Sequence, residues 1–323
     1  MSKNIQQKAS SSERSFRSWG WFFLVASYSF LAYKLLTFNQ YSELFYQWKQ
    51  IPVSQFGWLG AVLVFVPFNW LFESLKWKLM TVHVQKISLK LSVKAVLAGI
   101  STGFFTPNRI GELVGRVMYL NAENRKAGVT LSLMNSLTQN LIMMLCGIPA
   151  CILFFASTAV KIKPNSLYYI GLLVLCLIGF GLLYFFLPPL SNWLKKRKNR
   201  LKIKEFTDCL SGFKAGELIN IMLISFLRYG VFCVQFFLML RFFGIELNGW
   251  QALIAIPTNY LFVTFTPSMA FSEAAVRSSY AVLTIGVFSG QVVNIALAGT
   301  CIWLVNFVIP MLIGSVMLIN KNR

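Results

Sequence analysis

Charge is what this sequence has little of. Asp, Glu, Lys and Arg make up 12% of its 323 residues, where a soluble globular chain carries about 25%. With 56% hydrophobic residues and a mean hydropathy of +0.63, the chain cannot cover itself with polar surface. Histidine is scarcer still: His83 stands alone, which excludes a multi-histidine zinc or haem centre and argues against a Ser–His hydrolase. The six cysteines, Cys146, Cys151, Cys176, Cys209, Cys233 and Cys301, contain no C-x-x-C pair, and five lie in or beside apolar runs. There a cysteine serves as a small hydrophobe. A Gly-rich phosphate loop and a metal-ligand cluster are also missing, so neither a metal nor a cofactor is expected. The longest polar stretch, residues 191–216, is too short for a soluble catalytic domain.

What is there comes in apolar blocks. Residues 167–187 carry no charge and, as a helix rising 1.5 Å per residue, can cross a hydrocarbon layer of about 30 Å. The chain reads as an all-α polytopic membrane protein, one integral domain over residues 1–323. Further spans are expected at 19–38, 56–78 (with Pro67 inside), 129–157, 219–243 and 292–319. The first follows Lys3, Lys8, Arg14 and Arg17 but lacks a small-residue cleavage pattern, so it reads as a retained span.

Two segments do not fit a simple crossing. Residues 91–105 and 113–120 are short apolar arms around a break at 106–112; residues 250–265 and 272–287 flank a second break at 266–271. Short arms of this kind read as re-entrant hairpins, tolerable in a membrane only where protein or water covers the broken backbone. Thr106, Pro107 and Gly111 mark the first break, and Thr266 and Pro267 the second.

The net charge of +20 does not point to nucleic acid, because Lys and Arg sit at the ends of apolar runs rather than along one face. Membrane lipids, anionic ones first, are the expected partners. With both hairpins returning to their own side, 21 Lys and Arg fall in cytoplasmic loops and tails, among them Lys76 and Lys78 and the loop from Lys195 to Lys204. Five fall outside, and Arg109, Arg116, Arg228 and Arg277 lie at membrane depth. That bias is the positive-inside pattern, and it requires six spans, two hairpins and both termini in the cytoplasm.

The hairpins then face opposite ways, and the sequence around them repeats. Thr106-Pro107 is followed, after four intervening residues, by Glu112 and, after three more, by Arg116; Thr266-Pro267 is followed, after five, by Glu273 and, after three more, by Arg277. Pro149 and Pro310 stand 42 and 43 residues beyond the respective hairpin prolines. An inverted repeat of the transporter kind is expected, with residues 56–157 as one copy (hairpin near 91–120), 158–218 as a connecting span and basic loop, and 219–319 as the second copy (hairpin near 250–287).

Thr then Pro suits an N-cap and first helical position, so each second arm should start a half-helix whose free N–H groups attract an anion. Glu112 with Arg116, and Glu273 with Arg277, are spaced i to i+4 and can pair. Such pairs serve either to hold the hairpins in place or to build a site. The four membrane-depth Arg outnumber the three Glu, Glu73, Glu112 and Glu273, which suits an anionic headgroup. Candidate substrate-binding residues are therefore Glu73, Arg109, Glu112, Arg116, Arg228, Glu273 and Arg277. Arg109 has no counterpart in the second hairpin, where Met269 stands, and is expected to be free of pairing and to reach the substrate's phosphate. Asn135, Ser136, Gln139, Asn140 and Asn294 read as interhelical hydrogen-bonding groups.

The run Gly103-x-x-Thr-Pro-Asn-Arg-Ile-Gly-Glu112-x-x-x-Arg116, preceded by Asn69-x-x-x-Glu73-x-x-x-Trp77, resembles the lysylphosphatidylglycerol synthase transmembrane family, the flippase-like domain. The resemblance implies a bacterial inner-membrane protein that moves a lipid headgroup between leaflets, with Arg109, Glu112, Arg116 and Glu273 at its working centre. The soluble aminoacyl-transferring domain of full-length synthases is absent, so aminoacylation is not carried over. The second hairpin also lacks the first one's glycines, having Ser268-Met269-Ala270-Phe271-Ser272 after its proline. Translocation or binding of an anionic lipid or lipid-linked headgroup is the leading expectation. The alternatives are a membrane-embedded transferase using Glu73 or Glu112 as base, and a non-transporting partner of a separate lipid-modifying enzyme.

Overall fold

The computed structural model describes residues 51–104, 106, 109–158, 166–197, 204–268 and 270–319, with residues 25, 29 and 49 besides. The expected span at 19–38 lies almost wholly outside the described residues, and Pro107 and Met269 lie outside them too.

The described residues form helices and connecting turns. After a short 3-10 turn come α1 (Phe56–Thr81), α2 (Leu89–Phe104) and α3 (Gly111–Val117), then α4 (Arg125–Ser157), α5 (Ser166–Arg197) and α6 (Lys204–Ser211). The remainder is α7 (Ala215–Phe242), α8 (Gly249–Phe265), α9 (Ala270–Ile285), α10 (Val292–Trp303) and α11 (Ile309–Ile319). Among the described residues, five stretches are long and apolar enough to cross a membrane: Val53–Thr81, Ala122–Ser157, Gly171–Lys195, Ala215–Phe242 and Val292–Leu318. They coincide with the second to sixth expected spans, and the protein is a multi-pass membrane protein.

The spans differ in how much they bury: Val292–Leu318 lies mostly inside the protein, Gly171–Lys195 mostly on its surface. On α5, Leu172, Leu175, Leu182 and Phe186 are exposed, the face a lipid-contacting helix presents. Pro67 inside α1 removes one helical donor, and in the turn before it the Val62 carbonyl accepts from Gln235 Nε2 of α7 at 3.1 Å. That contact helps join α1 to α7, the most extensive helix pairing among the described residues.

The two broken segments differ in build. In the first, α2 has 16 residues and α3 only seven. They lie close because Gly115 faces Ala98, Gly99 and Thr102, where any Cβ would collide with backbone. In the second, α8 has 17 residues and α9 has 16, about 25 Å each. Those arms match the lengths read from the sequence, 250–265 and 272–287, the second starting two residues earlier than expected.

The last span is one helix interrupted by a π-helical turn, Leu304–Val308. Pro310 has no N–H to give to Asn306 four residues back, and the backbone widens so that Ile309 N–H meets Leu304 O instead. Such turns concentrate at functional sites.

Beside a small third cluster at Met144, Ile148, Cys151 and Leu261, two large apolar clusters build most of the core among the described residues. One joins α7, α8 and α10 through Phe236, Met239, Ile254 and Ile302; the other joins α1, α2, α4 and α11 through Trp77, Leu97, Met134 and Met311. Trp70, Met222 and Phe307 pack against both. The seam they mark holds the site.

Candidate functional site

A cavity of about 470 Å³ opens at that seam, lined by Glu73, Arg109, Glu112, Arg116, Arg228, Glu273 and Arg277 together with polar residues of α4 and an apolar wall of Phe104, Phe232, Val263 and Phe307. All seven sequence-derived candidates therefore share one cavity. Thr106, Thr266 and Pro267 line it as well. Gly111 lies just behind, its carbonyl accepting from Thr102 Oγ1 at 2.8 Å and leaving no room for a Cβ beside the Thr102 backbone.

Glu73 is the hub. Its spacing from Asn69 and Trp77 puts all three on one face of α1. Glu73 Oε1 accepts from Arg116 Nη2 at 2.6 Å and Asn135 Nδ2 at 2.8 Å, while Oε2 meets Arg228 Nη1 at 2.6 Å and Lys76 Nζ at 3.0 Å. Asn69 accepts from Arg228 Nε at 2.8 Å and donates to Asn306 Oδ1 at 3.2 Å, and the Arg116 guanidinium lies 5.8 Å from the Trp77 ring centre. Four helices thus meet at one fully buried carboxylate.

The expected i to i+4 pairs are present: Arg116 to Glu112 at 3.0 Å and Arg277 to Glu273 at 2.9 Å. Arg109 departs from expectation. Far from unpaired, its Nη2 donates to both oxygens of Glu273, at 2.8 and 3.0 Å, and Nη1 lies 3.7 Å from Glu112. Its guanidinium also sits 3.7 Å from the centre of the Phe307 ring, and that of Arg277 at 4.4 Å from the same ring. The partner, Glu273, is 164 residues away, so local spacing could not show it. Arg109 is held with φ +58°, a left-handed conformation that costs a residue with a Cβ and clusters at functional sites.

A second correction concerns the helix starts. α3 begins at Gly111, not after Thr106. Thr106 Oγ1 does accept the Gly111 N–H, at 2.8 Å, while donating to the Gly103 carbonyl at 2.9 Å. Thr266 instead bonds the Phe262 carbonyl and the Tyr280 hydroxyl, each at 2.8 Å. Neither helix therefore starts directly after its Thr-Pro pair, and the arginine side chains bring positive charge to the cavity.

Lys76 is the third. Assigned from sequence to a cytoplasmic loop, it is fully buried beside Glu73, because α2 folds back over the end of α1 and Ser92 Oγ donates to the Ser74 carbonyl at 2.6 Å. A lysine three residues from a glutamate on a helix was the available signal. The polar residues of α4 divide: Asn135, Ser136, Gln139 and Asn140 all line the cavity, whereas Asn294 donates to the Phe243 carbonyl, away from it. His83 is also remote, 3.1 Å from Glu217 near the end of α1.

The family model for the lysylphosphatidylglycerol synthase transmembrane region matches residues 20–314, nearly the whole chain. The chain belongs to that family. No curated protein and no solved structure matches it. The family ties this multi-pass membrane protein to lipid handling, and within the match the motif residues Asn69, Glu73, Trp77, Arg109, Glu112 and Arg116 converge on the single charged network just described.

Proposed function

We propose that this chain is a flippase-like protein of the bacterial cytoplasmic membrane that binds an anionic lipid or lipid-linked headgroup in the charged cavity and passes it between leaflets. The observation that carries the reading is the cavity's excess of unsatisfied donors: Arg116 Nη1 and Gln139 Nε2 are buried with no acceptor, in a wall that holds four arginines against three glutamates. Buried donors normally find partners, and an anion is the partner this wall lacks.

The motion we assign is the rocking of one inverted repeat against the other, with six spans, two re-entrant hairpins and cytoplasmic termini. Matched packing supports the repeat. α2 lies along α11 as α8 lies along α4, and α1 pairs with α7 between them. Leu97 and Pro257 each stand nine residues before the hairpin threonine, and their carbonyls face a glycine of the opposite copy's last helix, Gly314 and Gly147.

A transferase using Glu73 as base is disfavoured, since that carboxylate already serves Arg116, Arg228, Lys76 and Asn135. A non-transporting partner of a separate enzyme remains as the alternative that transport measurements decide. Purified protein in liposomes should exchange fluorescent phosphatidic acid or phosphatidylglycerol between leaflets faster than empty vesicles do; exchange of neither lipid faster than in empty vesicles would rule out translocation.

A further inference from the structure

The charges at the cavity do not balance, and the imbalance is larger than the sequence suggested. Arg109, Arg116, Arg228 and Arg277 line it, and Lys76 stands directly behind Glu73. Against these five cations are three carboxylates, Glu73, Glu112 and Glu273, the only acids among the described residues of the lining. The surplus is two. Each carboxylate is already shared: Glu73 among three cations, Glu112 between Arg109 and Arg116, Glu273 between Arg109 and Arg277. A surplus charge held at membrane depth costs on the order of 2.5–3.5 kcal/mol by insertion scales, so two of them without a counter-charge are a poor scaffold.

We infer that the occupant is a phosphate headgroup carrying two negative charges on an apolar tail, such as a lipid phosphomonoester, rather than a singly charged phosphodiester or a headgroup bearing an amine. This deepens, and rests on, the reading of the cavity as a headgroup site. Two observations fit it. Arginine suits the planar, several-pronged recognition of phosphate oxygens, and Arg116 Nη1 and Gln139 Nε2 are donors still without an acceptor. A terminal phosphomonoester offers three acceptor oxygens and a charge near −2 at neutral pH, which can serve both donors and cancel the surplus. An amine-bearing headgroup would add positive charge to a wall that already has too much. The apolar wall of Phe104, Phe232, Val263 and Phe307 points to a tail and not to free phosphate, whose far side would meet aromatic carbon.

The test is binding to the purified full chain in detergent, read by thermal shift and by competition against a fluorescent lipid. The probes are phosphatidic acid, phosphatidylglycerol and phosphatidylcholine of equal acyl length, and inorganic phosphate. Phosphatidic acid should bind about tenfold or more tighter than phosphatidylglycerol, the scale of one extra charge-assisted hydrogen bond. Phosphatidylcholine and inorganic phosphate should not compete over the same range. Lys76→Met removes one surplus charge and should bring the ratio of phosphatidic acid to phosphatidylglycerol affinity towards one. Where that variant fails to fold, the lipid series on the unaltered protein decides alone. Equal affinity for phosphatidic acid and phosphatidylglycerol would overturn the two-charge assignment while leaving an anionic headgroup site intact. Phosphatidylcholine binding as well as both would overturn the headgroup reading itself. Inorganic phosphate competing as well as phosphatidic acid would overturn the lipid as occupant.

Discussion

Arg109 Nη2 donates to both carboxylate oxygens of Glu273, at 2.8 and 3.0 Å, and so ties the first broken segment to the second. The two residues belong to opposite copies of the proposed repeat. On the proposed function, a headgroup phosphate entering the cavity would compete with Glu273 for the same guanidinium, and this pair would be the contact to break as the copies move apart.

Replacing Arg109 with lysine keeps the charge and loses the two-pronged contact and the stacking on Phe307. Arg109→Lys should lower leaflet exchange at least about tenfold, the scale of one lost charge-assisted contact, with little change in detergent melting temperature, because this side chain is about a quarter exposed. Arg109→Gly relieves the φ of +58° and should also fold while failing to transport. Full exchange by either variant would show that Arg109 does not meet the substrate.

Arg116 is expected to behave in the opposite way. It is buried and bridges Glu73 and Glu112 across two helices. Removing one partner of a buried ion pair costs about 3–5 kcal/mol, so Arg116→Ala should melt well below the parent protein and give a poor yield. A melting temperature unchanged by Arg116→Ala would mean that the network is not what holds α3 against α1.

How much of this could be read from the chain depends on distance along it. The spans, the breaks and the i to i+4 pairs are local, and so the five apolar spans and the Arg116–Glu112 and Arg277–Glu273 contacts stand where spacing put them. The seven charged candidates were legible because ionisable groups in apolar runs are costly enough to demand a reason. Lys76 was not, since a basic residue near a helix end looks like any loop lysine until α2 covers it. The Arg109–Glu273 pair was not either, because its partners are brought together only by the packing of α2 on α11 and α8 on α4. Pro310 was visible, but its effect on Phe307 depends on how the helix absorbs the missing hydrogen bond.

That effect can be measured. Pro310→Ala restores the donor for Asn306 and should let the Leu304–Val308 turn return to α-helix, rotating Phe307 off Arg109 and Arg277. Melting temperature should hold or rise, while leaflet exchange falls. Unchanged exchange would show that Phe307 is packing and not part of the site.

Close packing of the first broken segment gives a paired test of its fold. Gly115→Ala places a Cβ against Ala98, Gly99 and Thr102 and should sharply reduce folded yield. Gly230→Ala meets nothing within 4 Å and should be neutral or stabilising by about 0.5–1 kcal/mol. Equal tolerance of both would contradict the contact between α2 and α3.

Topology is open to labelling in a cysteine-free background. Glu246→Cys, in the exposed turn before α8, should react with an impermeant thiol reagent from outside the cell, and Glu123→Cys, in the exposed turn before α4, should react only from the cytoplasm. Reaction of both from one side would break the inverted repeat.

The most direct measurement blocks the cavity itself. Ser136 lines it and is exposed, so Ser136→Cys in a cysteine-free background places a thiol at its mouth. Proteoliposomes carrying this variant are assayed for leaflet exchange of fluorescent phosphatidic acid and phosphatidylglycerol before and after a bulky methanethiosulfonate reagent, and again after a reductant removes it. Exchange of both lipids should stop on modification and return on reduction. Exchange that continues at its original rate with the thiol fully modified would mean that headgroups do not pass through this cavity.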